Sequence, residues 1–236
     1  MKIQTTKKVG VDRLKFLIYG DPGVGKTTLA KTIKEKTLII SAEAGLLPLQ
    51  DSGIDYIDIT DGVESHKRYL ELAKVYGLLQ KKENIDKYQW VFIDSLTEIG
   101  QLLYESLEKQ FPDRKDSFVL WGEYSKKMRN LIKSFRDLPH YNVVFTALPT
   151  VDIDENQRRF IHVDVQTKIK TQLPGFFDEV FYYFARKGEE GETERFLLTQ
   201  SDGRCSAKDR SGKLERLETP DLSLISNKIR GEKRNA

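Results

Sequence analysis

Cysteine is all but missing from this chain. Cys205 is the only one in 236 residues, which excludes an internal disulfide framework. The three histidines are scattered and form no ligand cluster, so no metal is expected beyond one carried in with a nucleotide. No apolar run approaches the ~20 residues of a membrane span, and Met1-Lys2-Ile3-Gln4-Thr5-Thr6-Lys7-Lys8 lacks the apolar core of a signal peptide. The expectation is a soluble, cytoplasmic protein with no membrane partner. A strong excess of one charge is also lacking. Residues 1–199 balance at 30 Lys+Arg against 30 Asp+Glu, and the small net charge of +3 comes from residues 200–236, with 9 against 6. A basic tail, Lys228-Ile229-Arg230-Gly231-Glu232-Lys233-Arg234, could touch nucleic acid or serve as a solubilising end. The 39% of hydrophobic residues is enough for a real core in one large α/β domain.

The motif that organises the chain is Gly20-Asp21-Pro22-Gly23-Val24-Gly25-Lys26-Thr27, a full G-x-x-x-x-G-K-[ST] match. The apolar run 14–19 reads as the strand that delivers it, and residues 26–30 as the start of a helix whose amides face phosphates. Gly23 and Gly25 let backbone N–H groups turn inward, Lys26 reaches the β- and γ-phosphates, and the Thr27 hydroxyl binds Mg²⁺. The nucleotide-binding set is therefore Asp21, Pro22, Gly23, Val24, Gly25, Lys26, Thr27 and Thr28, with ATP and Mg²⁺ as cofactors.

Further apolar runs of strand length are 37–41, 89–94 and 142–148, separated by stretches that are long enough for helices. Such alternation predicts right-handed βαβ crossovers and a mostly parallel sheet with helices on both faces. Tyr124, Met128, Leu131, Phe135 and Leu138 make one buried stripe of a helix from Phe118 to Leu138. Lys126, Arg129, Lys133 and Arg136 read as its solvated face. Residues 151–166 alternate like an exposed hairpin, and 180–186 with 195–200 form a second.

Two carboxylates stand at strand ends. Asp94 closes the apolar run Gln89–Ile93 and can share with Thr27 the task of holding Mg²⁺, with Ser95 holding the local turn. Glu43 follows the second strand and would orient an attacking water if that strand lies beside the one bearing Asp94; otherwise it caps a surface turn.

Taken together, Gly20–Thr27, Ser41-Ala42-Glu43-Ala44-Gly45, Ile93-Asp94-Ser95 and Asn142–Leu148 resemble the ATPase core of the RecA family. That resemblance covers roughly residues 14–200 and implies an α/β RecA-like P-loop core with C-terminal β-hairpins. It also implies that the second strand neighbours the Asp94 strand, that Glu43 is the catalytic glutamate, and that Thr146 occupies the γ-phosphate sensor position, normally Gln or Asn. Closer still is the similarity to compact phage-encoded RecA-like annealing and recombination proteins. It rests on Gly20–Thr27, on the Trp121/Tyr124 helix leading to Phe145–Leu148, on Leu173–Val180, and on Asp202-Gly203-Arg204 with Lys208–Gly212. By that likeness the segment 1–13 is an oligomerisation arm, 14–215 the ATPase domain, and 216–236 a C-terminal helix with a basic tail.

The resemblance further implies a homo-oligomeric ring or filament in the cytoplasm of a bacterial host. Its partners would be single-stranded DNA and a single-strand-binding protein, with ATP hydrolysed at subunit interfaces and turnover stimulated by DNA. The loop with Arg114 and Lys115, and the stretch with Arg158, Arg159, Lys168 and Lys170, are the DNA-contact candidates, the second being an ordinary solvated hairpin in the alternative because Asp152, Asp154, Glu155 and Asp164 dilute its charge. Phe160 could stack on a base or belong to the core. Lys208 and Arg210 match the Lys-x-Arg pattern that hexameric helicases of this type present to a neighbour's γ-phosphate, or else form a basic turn before Ser211-Gly212. A motor or loader ATPase of AAA or helicase type is the alternative, and a P-loop kinase is a more distant one that Glu43 disfavours.

Overall fold

The computed structural model describes residues 13–43, 45–114 and 118–232. Its elements run β1 (Lys15–Gly20), β2 (Thr37–Ser41), β3 (Asp55–Asp58), α1 (Ser65–Leu79), α2 (Lys82–Lys87), β4 (Trp90–Asp94), α3 (Leu96–Gln110) and α4 (Phe118–Arg136). Then follow β5 (Asn142–Ala147), β6 (Pro149–Ile153), β7 (Arg159–Val163), α5 (Ile169–Phe176), β8 (Glu179–Lys187), β9 (Thr193–Leu198), β10 (Lys208–Asp209), β11 (Leu217–Glu218) and α6 (Leu222–Arg230).

The main sheet has the order β11-β9-β8-β1-β5-β4-β2-β3, with β10 also paired to β8. From β3 across to β8 every pairing is parallel, while β9, β10 and β11 join antiparallel. β2, β4 and β5 are buried at every residue, as expected of strands covered on both faces, which therefore read as unbroken apolar runs. One face packs Leu17, Val91, Val143 and Phe145 against α1, α3, α4 and α5. The other packs Phe16, Ile39, Trp90 and Phe92 against the turn after the P-loop and α6.

Both hairpins form where alternation places them, β6–β7 as a separate two-stranded sheet and β8–β9 as part of the main one. One expectation changes. The helix after the P-loop is only a 3₁₀ segment, Thr27–Thr32, which ends with Ile33 N–H on Ala30 O before β2 starts at Thr37. A helix, α6, does lie within 216–236, over residues 222–230. α6 starts at the Asp221 cap, ends at Gly231 in the left-handed region, and buries Leu222, Ile225 and Ile229. Its Lys228 bonds Glu218 and its Arg230 bonds Asn142, so those two cations serve the fold. The segment 1–12 and Lys233 and Arg234 lie outside the described residues.

Candidate nucleotide site at the strand ends

β1 runs straight into the phosphate-binding loop. At Gly20 a Cβ atom would fall 2.1 Å from the Tyr183 carbonyl oxygen of the adjacent β8, so only glycine lets the two strands meet there. Gly25 has φ +111°, a backbone region that favours glycine, and lies against the Tyr183 hydroxyl. Among the described residues, the N–H groups of Gly23, Gly25 and Lys26 have no hydrogen-bond partner. The buried Lys26 ammonium donates to Gly20 O at 2.7 Å and Asp21 O at 2.9 Å. Burial lowers its pKa, against the attraction of Asp94, Glu43 and Asp21.

Asp94 is the hub of the site. It is 2% exposed, and its Oδ2 accepts from the Thr27 hydroxyl at 2.6 Å while Oδ1 accepts from the Thr146 hydroxyl. Thr146, fully buried on β5, thus has its hydroxyl on the Asp94 carboxylate. Ser95 caps α3 by accepting from Glu98 N–H at 3.3 Å, so it holds the turn as expected.

The sheet order decides Glu43. β5 lies between β1 and β4, which leaves β2 beside β4, with Ser41 opposite Asp94 in register and Ala42 N–H on Asp94 O at 2.8 Å. Glu43 thus follows two residues after the position that faces Asp94. Its carboxyl pKa is raised, first by burial and then by the Asp94 and Glu98 carboxylates, with Lys26 acting the other way. A more basic carboxylate is better suited to take a proton from water.

This donor set suits a nucleoside triphosphate. Unpartnered amides and a lysine ammonium complement phosphate oxygens, and a hydroxyl with a carboxylate is the hard-oxygen pair Mg²⁺ takes when phosphates supply further ligands. The family model described as an AAA domain matches residues 12–211, most of the chain. This protein belongs to the AAA-domain family of P-loop ATPases.

The chain is also similar to a Methanocaldococcus jannaschii protein named "Putative adenylate kinase", at 26% identity over 149 residues, covering 62% of this chain and 59% of that protein. A solved structure of a prototypical ATPase from the type III secretion system of pathogenic bacteria aligns with a TM-score of 0.50 at 15% identity. That likeness, over 74% of this chain and 55% of the other, shows the shared fold. The chain spans less than two thirds of either protein.

The other cations expected to serve the site are distributed unevenly. Arg158 and Arg159 are exposed at the β6–β7 turn and line a cleft of about 550 Å³ with Gln157, Asp202, Gly203 and Arg204. Arg204 enters the sequence reading only within Asp202-Gly203-Arg204 and is not among its DNA-contact candidates. It arrives because residues 204–206 run along β7, with Ile161 N–H on Arg204 O at 2.7 Å. Lys168 is exposed, but Lys170 is held by Asp152 at 2.6 Å. Phe160 stacks on His162, on the hairpin face opposite the buried Val163. Arg114 ends a short 3₁₀ turn, and Lys115 lies outside the described residues. The α4 stripe is not simply solvated: Arg129 bonds Gln172, Arg136 bonds Phe176 O, and Lys133 lies over the Phe176 ring.

Lys208 and Arg210 do point the same way, but toward their own chain. β10 pairs with Glu179 and Val180, opposite Phe16 and Leu17, whereas the P-loop leaves β1 at its other end, Gly20. The Lys208 ammonium donates to Pro174 O and Phe177 O, and Arg210, 58% exposed, pairs with Asp178 at 2.5 Å.

Proposed function

We propose that this ATPase is a RecA-like recombination protein that holds single-stranded DNA through its phosphates, for annealing or strand exchange, and works as a homo-oligomer. The observation that carries this reading is the cleft in which Arg158, Arg159 and Arg204 gather from two separate segments. Among the described residues Arg158, Arg159 and Arg204 form no ion pair, and three such guanidinium groups beside the single Asp202 carboxylate leave the cleft net positive, which suits a phosphate backbone. The cleft is joined to the nucleotide site. The Tyr19 hydroxyl, one residue before Gly20, lies 2.8 Å from Ser206 O and 3.3 Å from Ile161 O, in the two segments that form the cleft.

ATP with Mg²⁺ supplies the phosphoryl group whose transfer to water releases the free energy. The chain's own part is to bind and orient. Gly23, Gly25 and Lys26 would hold phosphate oxygens, Thr27 and Asp94 would hold the metal, and the Glu43 carboxylate would accept the proton of the attacking water. Arg210, exposed at the surface, is the remaining trans-acting finger candidate; the Lys208 ammonium is committed to α5 carbonyls.

Changing Arg158 and Arg159 together to Ala tests the reading, with a labelled oligonucleotide titrated at several salt concentrations with and without a nonhydrolysable ATP analogue. We expect weaker binding on all sequences and a log–log salt slope flatter by about one to two units. An unchanged curve and slope would overturn the assignment of DNA to this cleft. No DNA binding by the native chain would favour the alternative, a motor or loader acting on a protein.

A further inference from the structure

The β8–β9 hairpin leans on the phosphate-binding loop from outside. Register places Tyr183 opposite Leu197 and Ala185 opposite Arg195, so Tyr183 and Arg195 share one face of the hairpin. Both reach the loop. The Tyr183 hydroxyl would sit 3.1 Å from a Cβ at Gly25, and Arg195 Nε donates to Val24 O at 3.1 Å across 171 residues of sequence. Arg195 is exposed, yet its Nε is spent on this one carbonyl.

The consequence lies in the peptide plane. Among the described residues the only cis bond is Asp94–Ser95, so the Val24–Gly25 peptide is trans. In a trans peptide the C=O and the next N–H point in opposite directions from the same rigid plane. A donor that holds Val24 O toward the hairpin therefore turns the Gly25 N–H away from it. That N–H is one of the unpartnered loop amides. The flexibility of Gly25 makes an external hold useful, because glycine alone leaves the plane free to rotate.

We propose that Arg195 is a positioning residue for nucleotide binding: it fixes the Val24–Gly25 peptide plane so that the Gly25 N–H is presented to phosphate. The proposal rests on reading Gly20–Thr27 as the phosphate site, but not on any role in DNA binding. Two roles for Arg195 make different predictions. Orientation needs an N–H donor at the Nε position, and direct phosphate contact needs the guanidinium charge. Glutamine separates them, since its Nε2 sits the same number of bonds from the backbone as arginine Nε and carries no charge.

The experiment measures the affinity of the full chain for a fluorescent ADP analogue by anisotropy, for the native protein, Arg195→Ala, Arg195→Gln and Lys26→Ala. The melting temperature is measured without nucleotide alongside. We expect Arg195→Ala to bind about tenfold more weakly and Arg195→Gln to recover to within about threefold of native, with little change in melting temperature. In turnover, Arg195→Ala should raise KM while kcat stays close to native. Native affinity in Arg195→Ala, or Arg195→Gln binding no better than Arg195→Ala, overturns the proposal. Lys26→Ala is the control for the underlying site. Its native-like binding would remove the phosphate assignment itself, whereas its loss of binding with Arg195→Ala unaffected would remove only the role of Arg195.

Discussion

Lys26 and Lys208 are two lysines in almost the same local chemistry. Each ammonium donates to a pair of backbone carbonyls, Gly20 and Asp21 for one, Pro174 and Phe177 for the other, and burial lowers the pKa of both. Their surroundings differ. Around Lys26 stand unpartnered amides and the Thr27–Asp94 pair, with Glu43 and Asp94 favouring its charge. Beside Lys208 stands Arg210, which lowers its pKa further, with Asp178 and Glu179 acting against that. Lys208 satisfies carbonyls at the end of α5, which otherwise have no intrahelical donor. A lysine on carbonyls is thus a structural feature that becomes a ligand site only where other donors converge beside it.

The largest expected effect breaks the symmetry outright. Lys26→Ala should weaken nucleotide binding at least about a hundredfold while the fold persists, read by nucleotide titration and by circular dichroism. If that variant unfolds instead, Lys26 is structural like Lys208. Glu43→Gln should keep nucleotide affinity and lower turnover by about 10²–10⁴, the range for losing a general base. Unchanged turnover would return Glu43 to a capping role.

On the other side, Lys208→Ala should destabilise the chain by about 1–3 kcal/mol in denaturant unfolding, because two carbonyls lose their donor. Nucleotide affinity should survive. Glu179 sharpens the same region through pH. It is 1% exposed, and burial, then the neighbouring Asp209 carboxylate, push its pKa up to about 8 from an ordinary 4.5. The folded chain therefore holds a proton that the unfolded chain gives up. This contribution is complete below 4.5, falls by about 1.4 kcal/mol per unit as pH rises toward 8, and levels off above. Glu179→Gln keeps the shape without the ionisation, so its stability should vary less between pH 6 and pH 8; an identical pH profile in both proteins would show Glu179 charged in the fold.

The smallest structural effect belongs to Arg210→Ala, within about 1 kcal/mol, since its pair with Asp178 is exposed. Its effect on turnover is the informative part. If Arg210 completes a neighbour's site, mixing Arg210→Ala with Lys26→Ala subunits should partly restore activity that neither variant has alone. Full activity in Arg210→Ala would take it out of the mechanism.

Much of the nucleotide site was legible because it is local. A P-loop needs glycines, a lysine and a threonine at set spacings along one stretch, and a buried parallel strand such as Trp90–Asp94 must be apolar throughout and can carry its acid only at the end. The same reasoning located the hairpins and the α4 stripe, whose periods are properties of the chain itself. The sequence by itself therefore determined the class of fold, the phosphate-loop motif and the two carboxylates at the ends of their strands. Strand order was not a local property, and only the tertiary structure, by inserting β5 between β1 and β4, decided that Glu43 stands near Asp94. Nor were the long-range partners visible. Thr146 on Asp94, Arg204 beside Arg158, Arg195 on Val24 and Lys208 on the end of α5 each join segments far apart in sequence, and no periodicity encodes such a meeting. Side-chain type states what a group can do, but its neighbours in the folded chain decide whether it holds a phosphate or a helix end.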